Sequence, residues 1–456
     1  MTDLQLSITN WEAAGQGAAE VLASTGRLRL QVGDINLTEH EDTYSRTIRQ
    51  EVLVSAYPLA LWLAANWWRL LYEPRPPERL RPTADWRLAH EWPAANAGTI
   101  WPALVMANEG GTIQFQASVA AGSPRQSIRY LNTLPVPVSI PREQVESTLD
   151  ALIASVLSRL EAWDGNPTEL LDLWQDVQAE RSDGGTSHYR QMEACLGFDP
   201  DEAPEPLLEQ ASQLAATMGP HNFNEISPVY GRAGQTQAPG LQHLQQLLES
   251  PALLAKLQHF DITIQTPSPS RTPWRRAQQL ARALRQHLDL SNEPIPTDLL
   301  CDLFGLTTQA FESTLPPKGQ PIAVAVPGPT GQIDLHLRKR YPSSRRFELA
   351  RFIGDALVTG SRVESWYVSS DIPTERQKIQ RAFAAEFLCP AEGALEQLSG
   401  DYSEPALEQV AERFGVSTEI IENLIANQEL SLRPLRPPIN SFGGGDGDAP
   451  AQAWER

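Results

Sequence analysis

Cysteine is scarce in this chain, and what there is follows no pairing pattern. Cys195, Cys301 and Cys389 are the only three in 456 residues. They are odd in number and far apart. That excludes a C-x-x-C metal knuckle and points to a reducing compartment, not a disulfide framework. Long apolar runs are missing too. The longest, Tyr57 to Ala65, is too short to cross a bilayer. The opening MTDLQLSITNWEAAG has no basic segment followed by an apolar core, so no secretion signal is read there. The expectation is a cytoplasmic protein with no membrane partner. Positive charge is in deficit: 37 Lys and Arg face 56 Asp and Glu, a formal net charge of -19. That excludes a general nucleic-acid coat, which needs clustered Lys and Arg, although local basic patches remain open. The eight histidines are His40, His90, His188, His221, His243, His259, His287 and His336. No two lie within one helical turn, so the paired-ligand spacing of a zinc site is absent.

What is present reads as an α+β multidomain protein, with length for roughly two to four domains. Residues 1–140 form an expected α+β domain. RLRLQV (27–32) and RTIRQEVLV (46–54) partly alternate and are read as strands, and GGTIQFQASV (110–119) alternates more cleanly. LPVPVSIP (134–141) is extended because its prolines exclude helix. YPLALWLAANWWRLLYEP (57–74) is the most aromatic stretch, a helix with Pro58 in its first turn and Pro74 as its stop. Trp62, Trp67 and Trp68 with the leucines cover most of its circumference. A helix apolar all round belongs in a core; exposed, it would be a docking surface. Residues 141–260 are expected as a helical domain of four helices, over 141–163, 166–181, 186–200 and 202–219. Asn166 is the N-cap and Pro167 the first helical residue of the second. SPVYGRAGQTQAPG (227–240) is a linker or long loop. Residues 261–272 are a polar, proline-bearing linker, and 431–456 a disordered Pro/Gly/Asp-rich tail.

The most informative stretch is RRFELARFIGDAL (345–357). Its apolar residues Leu349, Phe352, Ile353, Ala356 and Leu357 recur at helical spacing. It resembles the active-site helix of the ImmA/IrrE family of zinc metallopeptidases, whose text runs close to RRFTLAHELGHAL. Three further pieces stand in the family's order, one before this helix and two after it. PWRRAQQLARALRQHLDLSNEPIPTDLLCDLFGL is similar to its two opening helices. ERQKIQRAFAAEFLCPAEGAL (375–395) matches its second hallmark at Phe383, Ala384, Ala385, Glu386, Leu388 and Pro390. ALEQVAERFGVSTEIIENLIAN (406–427) resembles its closing helices, with a helix-turn-helix-like look. The resemblance covers 273–430, roughly a third of the chain and a normal size for one domain. It implies a zincin-like fold there. For residues 1–260 no family is read.

The resemblance also implies a chemistry that the residues do not supply. The family's H-E-x-x-H holds zinc between two histidines one turn apart, with a glutamate as general base. Here those positions are Arg351, Phe352 and Asp355, and the family's third ligand aligns with Gln377. A guanidinium stays protonated and repels a dication, and Phe352 accepts no proton. No catalytic residue, no metal and no cofactor is assigned. A metal held by distant residues, such as His336 with Asp355 and Glu375, is the alternative. Arg351 and Asp355 are four apart and share a helix face, so an internal ion pair between them is expected in place of the cation. Exposed, such a pair contributes about 0.3–0.5 kcal/mol. Buried, losing one partner costs about 3–5 kcal/mol.

Two stretches depart from the acidic background. One carries Arg275, Arg276 and Arg282. The other carries Arg338, Lys339, Arg340, Arg345 and Arg346. Facing one side, they would make a groove for phosphate or an acidic protein surface; otherwise they are a solvated face. The expected function is a non-catalytic metallopeptidase-like scaffold or regulator with a protein partner. The resemblance implies a bacterial stress, mobile-element or phage-defence setting. The alternatives are a divergent zinc metallopeptidase with a rebuilt site, and a nucleic-acid-binding component of a defence complex using the arginine patches.

Overall fold

A computed structural model describes residues 3–12, 17–77, 81–119, 126–163, 168–232, 240–260, 262, 273–359 and 366–432. The expected 261–272 linker, apart from Ile262, falls outside the described residues, as do Asn166 and Pro167. So does the expected tail beyond Leu432, although Ser431 and Leu432 still belong to the helix Thr418–Leu432. The architecture is mixed α/β, with small antiparallel sheets and many helices. Among the described residues no helix is long and apolar enough to cross a membrane.

The first core is built where alternation and aromatics coincide. Strand Thr112–Ala117 turns Ile113, Phe115 and Ala117 inward. It pairs antiparallel with Leu104–Asn108 on one side and Val138–Pro141 on the other. A second sheet pairs Leu4–Trp11 and Val52–Ser55 with Thr25–Val32. The expected strand at 46–54 is two pieces, Thr47–Arg49 and Val52–Ser55, which pair in different sheets. The aromatic stretch is likewise two helices, Tyr57–Ala65 and Trp67–Tyr72. The break falls at Asn66, whose side-chain amide donates to the Trp62 carbonyl at 2.8 Å. Trp62, Trp67 and Trp68 are all buried, so the stretch is core.

Helices of the 141–260 segment divide between cores. Arg142–Trp163 places Val145, Leu149, Leu152, Ile153, Val156 and Leu160 three and four apart, and they join the first core. Glu169–Ser182 follows it there, capped by Thr168, which accepts from the Leu171 amide. The helices Glu205–Met218 and Leu241–Glu249 instead pack on a four-stranded antiparallel sheet, ordered Leu253–Ala255, Ile333–His336, Ala323–Pro327, Tyr367–Ser369. Period-two alternation explains how that sheet serves two cores. Ile322 and Val324 face those helices, while Ala323 and Ala325 face the helix Pro342–Thr359. Glu375–Leu388 lies against both Pro342–Thr359 and Pro273–His287.

Candidate functional site at the junction of two buried helices

The helix Pro342–Thr359 is central. Every residue from Glu348 to Ala356 is buried. Gly354 permits this: a Cβ there would sit 2.7 Å from the ring of Phe383 on the Glu375–Leu388 helix. That close approach packs together the two helices that carry the motif positions, three on one and Gln377 on the other. Phe352 is fully buried in the apolar core.

Arg351 and Gln377 meet directly. Arg351 Nη2 donates to Gln377 Oε1 at 2.6 Å and to the Ser370 carbonyl at 2.8 Å. Its Nε makes no hydrogen bond. Burial pushes the guanidinium well below the usual arginine range, and the charges of Arg338 and Arg381 add to this. Gln377 uses its whole amide. Oε1 also accepts from the Ser370 amide at 2.9 Å, and Nε2 donates to the Val368 carbonyl at 3.2 Å and Glu225 Oε2 at 3.1 Å.

The expected pair between Arg351 and Asp355 does not form. Asp355 is gripped by Arg376 instead, Nε to Oδ1 and Nη2 to Oδ2, both at 2.7 Å. The reason is geometric. Arg376 meets both carboxylate oxygens at once with its planar fork, the stronger arrangement, while Arg351 is turned toward the sheet. Burial works against the Arg376 charge, but the Asp355 carboxylate raises its pKa overall.

A distant segment covers this pair. Arg376 Nη1 donates to Asn222 Oδ1 at 2.7 Å. Glu225 Oε2 accepts from Thr374 Oγ1 at 2.5 Å as well as from Gln377. A third segment reaches the start of the same helix. The Glu375 amide donates to the Glu109 carbonyl at 2.7 Å, and Lys378 pairs with the Glu109 carboxylate. The Glu375 carboxyl is pushed up by burial and by Glu109 and Glu225, with Lys378 opposing.

The basic stretches are not one groove. Arg338 is buried, with Nε 2.7 Å from Glu348 and Nη2 2.7 Å from Asp371. Burial raises the Asp371 carboxyl, but Arg338 outweighs it and holds the group well below the usual carboxylate range. Arg345 is buried, donates to the Thr314 carbonyl at 2.9 Å and stacks on Phe311. Arg346 is buried and donates to Thr297 Oγ1 and the Ile295 carbonyl, both at 2.6 Å. These three are internal donors. Lys339 lies 3.8 Å from Asp371, and Arg340 reaches the Pro316 carbonyl. Arg282 pairs with Glu386 at 2.7 Å, while Arg275 and Arg276 are exposed on Pro273–His287.

The side chains of His336 and Asp355 keep separate partners, Ser250 and Arg376. Among the described residues no three His, Cys, Asp or Glu side chains gather in a way that would hold a metal. Sequence reasoning missed Arg376, Thr374, Asn222, Glu225 and Glu109. Only Thr374 had a local signal. T-E-R-Q is a capping-box spacing, and Thr374 Oγ1 does accept from the Gln377 amide. Compared with known proteins, the chain matches no family model, no curated protein and no solved structure.

Proposed function

We propose that this chain is a non-catalytic, metallopeptidase-like scaffold that binds another protein. The setting we infer is bacterial stress response, mobile-element control or phage defence. The reading rests on the text of 273–430, an ImmA/IrrE-like sequence with its H-E-x-x-H replaced. One observation carries the non-catalytic part. The positions that would hold a cation and its water are joined by direct hydrogen bonds, Arg351 to Gln377 and Asp355 to Arg376. Asn222 and Glu225 close over them. Loading a cation there would break a bidentate ion pair and leave a cationic guanidinium beside it, an arrangement that costs several kcal/mol per buried charge, by order of magnitude.

The test has two parts. Metal content of the full chain is measured by atomic emission, alongside hydrolysis of a denatured general protease substrate. Binding is measured by reconstituting the purified chain with the protein that co-elutes from its native host. The expected result is no stoichiometric zinc, no cleavage, and a saturable complex that leaves the partner intact. Stoichiometric zinc, with cleavage abolished by Asp355→Ala, would overturn the reading in favour of a rebuilt peptidase.

A further inference from the structure

A cleft of about 140 Å³ lies beside the edge of the four-stranded sheet, and none of the motif residues lines it. Leu247, Leu253, Leu335, Leu315 and Pro316 form its walls, and His336 is its principal polar group. Among the described residues no Asp, Glu, Lys or Arg lines it. That composition disfavours a charged ligand, whose desolvation would go uncompensated. The volume is of the order that admits one benzene-sized ring, and the wall residue Leu315 is half-exposed, so a second, fused ring has room toward solvent.

The hydrogen-bond chain at His336 fixes what that ring must carry. Ser250 Oγ donates its only proton to the Leu247 carbonyl at 2.7 Å, because a carbonyl can only accept. Toward His336 Nδ1, 3.3 Å away, Ser250 Oγ is therefore the acceptor. Nδ1 then bears the ring proton. Burial lowers the His336 pKa below its ordinary 6.5, so the imidazole is neutral at pH 7.5, with Asp334 opposing the shift. Nε2 is left as a lone-pair acceptor. It makes no hydrogen bond among the described residues, although His336 is only 4% exposed.

We infer that this cleft binds a small, free, uncharged aromatic molecule bearing one ring hydrogen-bond donor, of the size of phenol or indole. The donor meets His336 Nε2, and the ring lies among the leucines and Pro316. The inference stands independently of the proposed protein-binding role.

The test is calorimetric titration of the full chain at pH 7.5 with three probes. Indole carries the donor. Benzothiophene has the same bicyclic shape without it. N-acetyltryptophanamide presents the ring as a protein would. Saturable indole binding is expected, with benzothiophene about 10-fold weaker, the loss of one hydrogen bond of roughly 1.4 kcal/mol. His336→Phe keeps a ring but removes the acceptor, and should bring indole down to the benzothiophene level. Leu315→Ala, at a half-exposed wall position, should keep the melting curve of the unmodified chain and weaken both ligands. No saturable indole binding, equal affinity for indole and benzothiophene in the unmodified chain, or indifference to Leu315→Ala would overturn the site. Binding of N-acetyltryptophanamide as tight as that of indole would overturn the free-molecule assignment in favour of a protein side chain.

Discussion

Replacing Asp355 by asparagine tests which buried contact organises the motif helix. The carboxylate is 1% exposed and accepts two hydrogen bonds from Arg376, whose side chain is 9% exposed. Asparagine keeps the volume but loses the charge and offers one acceptor where there were two. Arg376 would retain one amide oxygen at position 355, Asn222 Oδ1 and a 3.5 Å contact to the Trp366 carbonyl, none of them charged. An uncompensated buried guanidinium costs about 3–5 kcal/mol. For a cooperative unit of this size, that is a fall in Tm of roughly 6–20 °C. Removing both charges, in Asp355→Asn with Arg376→Met, should recover most of the loss, because a buried pair exchanged for neutral groups is often close to neutral in stability. Asp355→Asn with Arg351→Met should not recover it. Urea melts of the intact chain, followed by tryptophan fluorescence, measure all three variants against the unmodified chain. A single-variant loss under about 1 kcal/mol, or rescue by Arg351→Met and not by Arg376→Met, would refute the assignment of partners.

Two further outcomes follow from the same helices. Glu375→Gln should stabilise the protein at pH 7.5. The folded carboxyl titrates above its reference value of 4.5, so the ionised form is the disfavoured one. The gain should be full above the folded-state pKa, fade as pH falls through it toward 4.5, and be absent below 4.5, read as the Tm difference across a pH series. Gly354→Ala should destabilise by about 1–3 kcal/mol in a denaturant melt, despite alanine's better helix propensity, and pairing it with Phe383→Leu should return part of the loss.

The local signals were legible because they depend on neighbours in sequence. The alternation at 112–117 and the three- and four-residue spacing at 142–163 placed their own buried faces. Pairing choices were not legible. An i, i+4 arginine and aspartate look like partners in any helix, but helix spacing says nothing about a third group. Arg376 won because the Gly354–Phe383 contact brings its helix close. The arginines at 338, 345 and 346 misled for a related reason. A run of positive charge reads as surface, yet each of these turns inward to a carboxylate or carbonyl supplied from elsewhere.

The residues with no sequence signal at all are those reaching the site from far away, and they carry a measurable consequence. Glu225 sits roughly 150 positions before Gln377 in sequence but accepts from both Gln377 Nε2 and Thr374 Oγ1. Glu225→Ala leaves those two buried donors without that acceptor, at about 1–3 kcal/mol. Gln377→Ala removes the acceptor shared by Arg351 and the Ser370 amide. If the two residues belong to one network, the double variant should depart from additivity by more than about 0.5 kcal/mol. The Ser370 amide should also exchange its proton faster in Glu225→Ala, since Gln377 would no longer be held from its far side. Additive losses with unchanged exchange at Ser370 would mean that the 220–226 segment merely covers the two helices and does not order the polar contacts between them.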